Sequence, residues 1–241
     1  MRSLIIVLFL LIYLIVTLPV MVVEFVIRIF DRKTSEKHCR WLIIRLMKAA
    51  NFIAGVDLEV KGLENIPEGE TVLFVPNHRS YLDFTVLFPL LSDPSLFVGK
   101  KELAMVPLFG QWVYLIGTLI LDRKDRRQGY NVIYRAADLV KEGSNIIIFP
   151  EGTRNKGDIM EPLRFKEGSL KISSKSGCKT VPVALIGTRE IYECHRPWVK
   201  PGKVKVIFGK PIDPSELSEY DLKNYGAYTR ERIIEMLKAE A

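Results

Sequence analysis

An α/β domain with a largely parallel sheet flanked by helices, led in by an N-terminal pair of helices, is the fold the sequence predicts. Two observations carry that prediction. From residue 56 onward, short β-rich runs alternate with stretches of helical periodicity, the pattern of a sheet and its covering helices laid down in turn. Before that point the chain opens on a long uncharged apolar run with the length of a helix, not a strand. With 241 residues, 48% hydrophobic and 26% charged, the chain can bury one full core and still carry an appendage.

Residues 3–23, SLIIVLFLLIYLIVTLPVMVV, hold no charge and are long enough to cross a hydrocarbon core as a helix. A cleaved signal peptide would carry an apolar region of about 7–15 residues ending at a small-residue site. This run is longer, and VMVVEFVIRIF offers no such site, so a retained segment is expected. Pro19 and Glu24 argue against a plain straight span. DRKTSEK, residues 31–37, reads as a polar turn, and HCRWLIIRLMKAANFIAG, residues 38–55, as a second helix. On that helix Arg45, Lys48 and Asn51 form a narrow polar stripe, and apolar surface covers most of the rest. It suits a membrane interface with its cations near phosphates, or else a place in the core. Residues 1–55 are thus expected as a membrane-anchoring helix pair and residues 56–241 as the α/β domain. Arg28, Arg32, Lys33 and Lys37 follow the apolar run, whereas only Arg2 and the terminal amine precede it. The positive-inside tendency then places the domain on the cytoplasmic side of the cell membrane.

Strands are expected at 57–62 (DLEVKG), 71–76 (TVLFVP), 96–100 (LFVGK), 117–122 (GTLILD), 145–150 (NIIIFP), 180–185 (TVPVAL) and 203–209 (KVKVIFG). Helical stretches lie between them at 81–91, 102–116, 129–143 and 165–177. In the third of these, Val132, Ile133, Ala136, Ala137 and Val140 share a face and Gly143 can close the helix.

The charge balance narrows the function. Lysine and arginine number 35 against 28 acids, a formal net charge of +7. A basic surface suits nucleic acid, an anionic membrane or an anionic small substrate. Zinc-finger spacing, an RNP-type aromatic signature and a lysine-rich tail are all missing, so no nucleic-acid partner is expected. Cys39, Cys178 and Cys194 are odd in number, far apart and without CxxC spacing, which argues against a disulfide framework or a zinc site and for a reducing cytosolic face. His38 and His195 have no partners at metal-ligand spacing, so no metal is expected. A GxSxG nucleophile elbow, a P-loop and a GxGxxG fingerprint are also missing.

In parallel sheets, ligands bind beyond the carboxyl ends of the strands. Polar clusters follow several of the expected strands: NHRSYLD after TVLFVP, DRKDRR after GTLIL and EGTR after NIIIFP, while GKK ends another. Gathered along one edge they would offer His78, several carboxylates, and Lys100, Lys101, Arg123, Arg126 and Arg154, a pocket suited to a phosphate ester with a hydroxyl to deprotonate. His78 and Asp83 stand five positions apart and cannot share a face of one helix. They meet only if His78 lies in the turn and Asp83 in the first helical turn. Ser80-x-x-Asp83 resembles a capping box, so Asp83 is either a helix cap or the orienting partner of a histidine base. Arg123 and Arg154 can each bind two phosphate oxygens with a planar guanidinium. Gly152 permits close backbone approach, and Glu151 can accept from a hydroxyl or simply pair with Arg154.

NHRSYLD, GTLILDR, FPEGTR and VPVAL, in that order, resemble the four blocks of the glycerolipid acyltransferases, and most closely the bacterial 1-acyl-sn-glycerol-3-phosphate acyltransferases. FVGKKELAMVPLFG and FKEGSLKIS fit the same pattern, and the resemblance covers most of residues 60–210. The second block departs from it, with Ile120 or Leu121 where an aromatic is often seen. The resemblance implies transfer of an acyl group from acyl-CoA or acyl-acyl-carrier-protein to the sn-2 hydroxyl of lysophosphatidate, making phosphatidate for phospholipid biosynthesis at a phospholipid membrane, with no cofactor. It implies His78 as general base, Asp83 as its orienting partner, and a glycerol-phosphate site of Arg123, Glu151, Gly152, Thr153 and Arg154. Lys100 and Lys101 join that site as phosphate contacts on the reading of the strand ends. The alternatives are an acyltransferase with another lysolipid acceptor, and a non-catalytic protein that binds anionic lipid.

Overall fold

The computed structural model describes residues 1–92 and 94–240. The N-terminal apolar run folds as two helices, α1 (Arg2–Val16) and α2 (Leu18–Phe30), bent by 51° at Thr17. The Thr17 hydroxyl donates back to the Tyr13 carbonyl at 2.7 Å, and Pro19 in the first turn of α2 has no N–H to continue the ladder. Among the described residues no single helix is long and apolar enough to cross a membrane, but this bent pair meets the length and composition together. A single long first helix is therefore corrected to a broken one.

The expected polar turn at 31–37 is corrected as well. Only Asp31 stands outside a helix, as the N-cap of α3 (Arg32–Ala54), accepting from Thr34 N at 3.1 Å and from the Thr34 hydroxyl at 2.6 Å. Glu36 draws Arg32, one turn before it, and Arg28 of α2 to 2.7 and 3.1 Å, so the charged letters that suggested a turn tie two helices together. Gly55, at φ 76°, closes α3 in the left-handed conformation.

All seven expected strands form: β1 (Val56–Lys61), β2 (Val72–Pro76), β3 (Ser95–Lys100), β4 (Leu119–Leu121), β5 (Asn145–Ile147), β6 (Lys179–Ile186) and β7 (Gly202–Phe208). They make one sheet in the order β1-β7-β6-β2-β5-β3-β4. Every pairing is parallel except β6 with β7. The helices of the domain are α4 (Leu82–Leu87), α5 (Lys101–Ala104), α6 (Phe109–Leu115), α7 (Arg126–Lys141), α8 (Glu167–Ser176), α9 (Thr188–Ile191), α10 (Glu219–Lys223) and α11 (Tyr225–Lys238). The helix expected at 102–116 is two short ones, parted at Pro107 and at Leu108, whose φ is 63°. The stretch 81–91 is α4 followed by a 3-10 turn at Phe88–Leu90.

β2 is buried along its whole length, which explains its unbroken apolar run. Leu73 and Val75 enter one core with Ile146, Ala136 and Ile233, while Val72 and Phe74 enter the other with Val86, Val183 and Phe208. A third cluster joins Met21, Cys39 and Ile43 to Trp112, Leu115 and Ile116, so α2 and α3 pack directly on α6.

Candidate active site

Because β2 lies at the centre, between β6 and β5, the turn that follows it has neighbours on both sides. Asn77 fixes its start: its side chain accepts from Leu185 N at 2.7 Å and donates to Leu185 O at 3.1 Å, locking the end of β2 to β6. The chain then turns through His78–Tyr81 into α4.

Asp83 organises that turn. Its Oδ2 lies 2.8 Å from His78 Nδ1 and accepts from Arg79 N at 2.6 Å and Ser80 N at 2.8 Å. Its Oδ1 accepts from the Thr188 hydroxyl at 2.5 Å, and the carboxylate is wholly buried. A carboxylate can only accept, so this contact places the proton on Nδ1 and leaves the Nε2 lone pair free. The His78 side chain is 21% exposed, enough to meet a substrate.

The helix cap and the histidine partner are thus one group. Asp83 performs the acidic half of a capping box by accepting from Ser80 N. The serine half is shifted: Ser80 Oγ accepts from Leu82 N at 3.0 Å, the first residue of α4, and donates to Glu193 Oε2 at 2.5 Å. Ser80 as N-cap is corrected to Tyr81, which has no side-chain cap of its own.

The loop after β5 holds the histidine from the other side. Glu151 Oε1 accepts from His78 N at 2.6 Å and its Oε2 from Leu163 N at 3.0 Å, while Asn155 N donates to His78 O at 2.7 Å. Both main-chain groups of His78 are therefore held by this loop. Burial pushes the Glu151 carboxyl above its ordinary range, against the pull of the two N–H donors. The Phe149 ring lies 4.3 Å from the imidazole, centre to centre. Gly152 sits at φ 70°, and a Cβ there would come within 2.7 Å of Lys166 Nζ. Thr153 is exposed at the rim.

Arg154 does not pair with Glu151. It meets Glu193 Oε1 at 3.1 Å, and its guanidinium lies 3.7 Å above the Tyr81 ring. Glu193 also accepts from Tyr81 N at 2.9 Å, so one carboxylate links the turn after β2 to the loop after β5. Thr188 and Glu193 were not among the expected residues. Both follow β6, the strand beside β2; the strand-end rule applied to VPVALI would have drawn attention to GTRE and so to Thr188, while Glu193 lies three residues beyond it.

The remaining cations stand apart. Lys100 pairs with Glu102 at 2.8 Å, Lys101 with Asp122 at 2.9 Å, and Arg123 lies exposed in the turn after β4. β4 is three strands from β2 in the sheet, about 14–15 Å at about 4.8 Å per strand. The edge therefore brings together His78, Asp83, Glu151, Gly152 and Arg154, and leaves Lys100, Lys101 and Arg123 toward its far end.

Comparison with known proteins meets this geometry. The acyltransferase family pattern matches residues 57–186, from β1 to the end of β6. A chloroplastic 1-acyl-sn-glycerol-3-phosphate acyltransferase of Brassica napus is 33% identical over 186 residues, covering 76% of this chain but 53% of the plant protein. The chain spans about half the length of this and other plant and algal relatives that it matches. A probable 1-acyl-sn-glycerol-3-phosphate acyltransferase of Mycoplasma genitalium is 32% identical over 211 residues, 82% of this chain and 77% of its own. The crystal structure of the 1-acyl-sn-glycerophosphate acyltransferase of Thermotoga maritima superimposes with a TM-score of 0.72 at 29% identity, covering 99% of this chain and 98% of that one. The matched span contains both loops that hold His78, and by that span and those relatives this chain belongs to the acyltransferase family.

Proposed function

We propose that this protein transfers a fatty acyl group from an acyl thioester, acyl-CoA or acyl-acyl-carrier-protein, to the sn-2 hydroxyl of 1-acyl-sn-glycerol 3-phosphate, producing phosphatidate. The observation that carries the reading is the 2.8 Å contact between His78 Nδ1 and Asp83 Oδ2, which leaves Nε2 as a base at a partly open surface. The names of the relatives support the acceptor.

In this reaction His78 Nε2 takes the proton of the sn-2 hydroxyl as that oxygen attacks the thioester carbonyl. Asp83 stabilises the imidazolium that forms and keeps the ring in one orientation. The tetrahedral intermediate collapses, the C–S bond breaks, and the proton on Nε2 passes to the departing thiolate. No covalent enzyme intermediate is formed, and the reaction written this way calls on no metal or cofactor.

Glu151 acts through the loop, holding the main chain of His78 while Gly152 keeps the adjoining backbone open. Arg154 has N–H donors beyond the one given to Glu193, and these are assigned to the phosphate, with Thr153 at the rim. Lys100, Lys101 and Arg123 are assigned to phosphates of the substrates further along the edge. The bent α1–α2 pair and the exposed apolar side chains along it support attachment to the cell membrane, and the excess of cations after the apolar run favours the cytoplasmic side for the domain.

The test is release of free thiol from an acyl thioester by the purified protein in lipid, across a panel of lysolipid acceptors and both donor types. His78→Ala is expected to lower the rate by about 10²–10⁴-fold with folding and lipid binding retained. Near-normal transfer by that variant would overturn the mechanism, and preference for another lysolipid would overturn the acceptor.

A further inference from the structure

We infer that the hairpin between α5 and α6 is a second membrane contact, whose tip, Met105–Phe109, inserts into an anionic phospholipid bilayer beside the N-terminal helices. The inference rests on membrane attachment as read above and adds to it a separate point of entry.

The sequence of the tip is the first ground. Met105, Val106, Pro107, Leu108 and Phe109 are five consecutive apolar residues. All but the half-buried Leu108 are exposed: Met105 by 69%, Val106 by 47% and Phe109 by 41%. A turn in water is normally polar, and an exposed apolar run of this length has a function or is a liability. Folding inward is not what this hairpin does: Gly110, Trp112, Val113 and Leu115 carry the buried side of α6, leaving the tip outside.

The backbone holds the tip in that posture. Phe109 N donates to Pro107 O at 2.8 Å across Leu108, whose φ and ψ are 63° and −41°, a positive-φ γ-turn of the rare, strained kind. Gly110 N donates to Val106 O at 2.7 Å, and a Cβ on Gly110 would strike the Ala104 carbonyl, so the two arms close tightly behind the tip. Strain kept in a non-glycine turn is a mark of functional segments.

What surrounds the tip identifies its occupant. On one side α6 is docked to α2: Phe25 stacks on Tyr114 with ring centres 6.0 Å apart, and Arg28 donates to Leu115 O at 3.3 Å. The outer face of α2, with Val22, Val23 and Val26 exposed, therefore adjoins the helix from which the tip hangs. On the other side Lys101 of α5 reaches Asp122 at the end of β4, beside Arg123 and Lys124 of the following turn and Arg126 and Arg127 at the start of α7. Apolar side chains at the point and cations behind them match the layers of an anionic bilayer, hydrocarbon first and phosphate above it. Helices α1 and α2 alone would leave the domain free to roll about their length. A third point to one side removes that freedom and fixes how the edge bearing His78 faces the lipid.

The test places an environment-sensitive fluorophore on the full chain. Cys39 and Cys178 are buried and Cys194 is exposed, so Cys194→Ser supplies a background for labelling at Val106→Cys. The control is Tyr220→Cys on α10, a position 75% exposed and in a different part of the fold. Vesicles of phosphatidylcholine and phosphatidylglycerol carry nitroxide-labelled lipid, and flotation reports whether the protein is bound. The expected result is a shift to shorter wavelength and loss of most of the emission at position 106, with neither change at position 220. A floated protein whose label at 106 behaves like that at 220 overturns the inference while leaving membrane attachment intact. A protein that does not float overturns both.

Discussion

Asp83 shows how much one side chain can carry: four donors, one of them the His78 imidazole, converge on a carboxylate that contributes nothing to the surface. Thr188 is the donor most open to test, since it touches neither base nor substrate. Thr188→Val keeps the shape and removes the hydrogen bond, and is expected to cost roughly 1.5–3 kcal/mol of stability, as loss of a bond to a charged group does. If Thr188 positions Asp83, kcat should fall with KM nearly unchanged, and Thr188→Ser should restore it; equal loss in Val and Ser variants would reject that role. Glu151 yields a second expectation. Its carboxyl holds a proton more tightly in the folded chain than in the unfolded one, so it favours folding most below the ordinary glutamate value, and that contribution is lost as pH climbs through the raised value. Chemical denaturation across the mildly acidic range should show this decline in the wild type and not in Glu151→Gln. Of these residues, His78 and Asp83 were legible in the sequence because they lie within one turn of chain. Thr188 and Glu193 reach the same turn from more than a hundred residues away, through the adjacency of β6 to β2.

At the scale of elements, strands are more legible in this sequence than helices. A buried strand declares itself by an unbroken apolar run between turn residues, as in VLFVP, and both faces of β2 are indeed covered. Hydropathy does not register where a helix breaks. The run at 3–23 has one composition throughout, yet Thr17 back-bonds to Tyr13 and Pro19 interrupts the ladder, giving two helices. The opposite error occurs at 31–37, where charged letters suggested a turn and Asp31 instead begins a 23-residue helix. Replacing that cap is a direct check: Asp31→Ala should destabilise the protein by about 0.5–2 kcal/mol in denaturant titration, and Asp31→Asn by much less. α11 lies outside the expected elements and covers the core with Ile233 and Leu237.

Taken whole, the molecule is one sheet with its site at the middle of one edge and its apolar helices bound into the domain rather than appended to it. Asn51 of α3 donates to Thr85 O at 2.8 Å and accepts from the Thr85 hydroxyl at 2.9 Å, on the helix that bears Asp83. Trp112, Leu115 and Ile116 are buried together with Met21, Cys39 and Ile43. Deleting residues 1–55 should therefore expose a core face, lowering the melting temperature and promoting aggregation even in detergent; an unchanged melting temperature would show that the domain stands without them. The alternation of strand and helix foretold the parallel sheet, but not that β7 would insert between β1 and β6, reversing one pairing, because strand order is decided by packing between distant segments.

The grip on the His78 main chain has a consequence for motion. Its N–H and its carbonyl are held by Glu151 and by the amide of Asn155, residues some seventy positions downstream. Neither the turn after β2 nor the loop after β5 can swing open while the other stays shut. The two segments are expected to open as one unit, and hydrogen exchange should then show the amides of His78 and Asn155 exchanging with solvent in step.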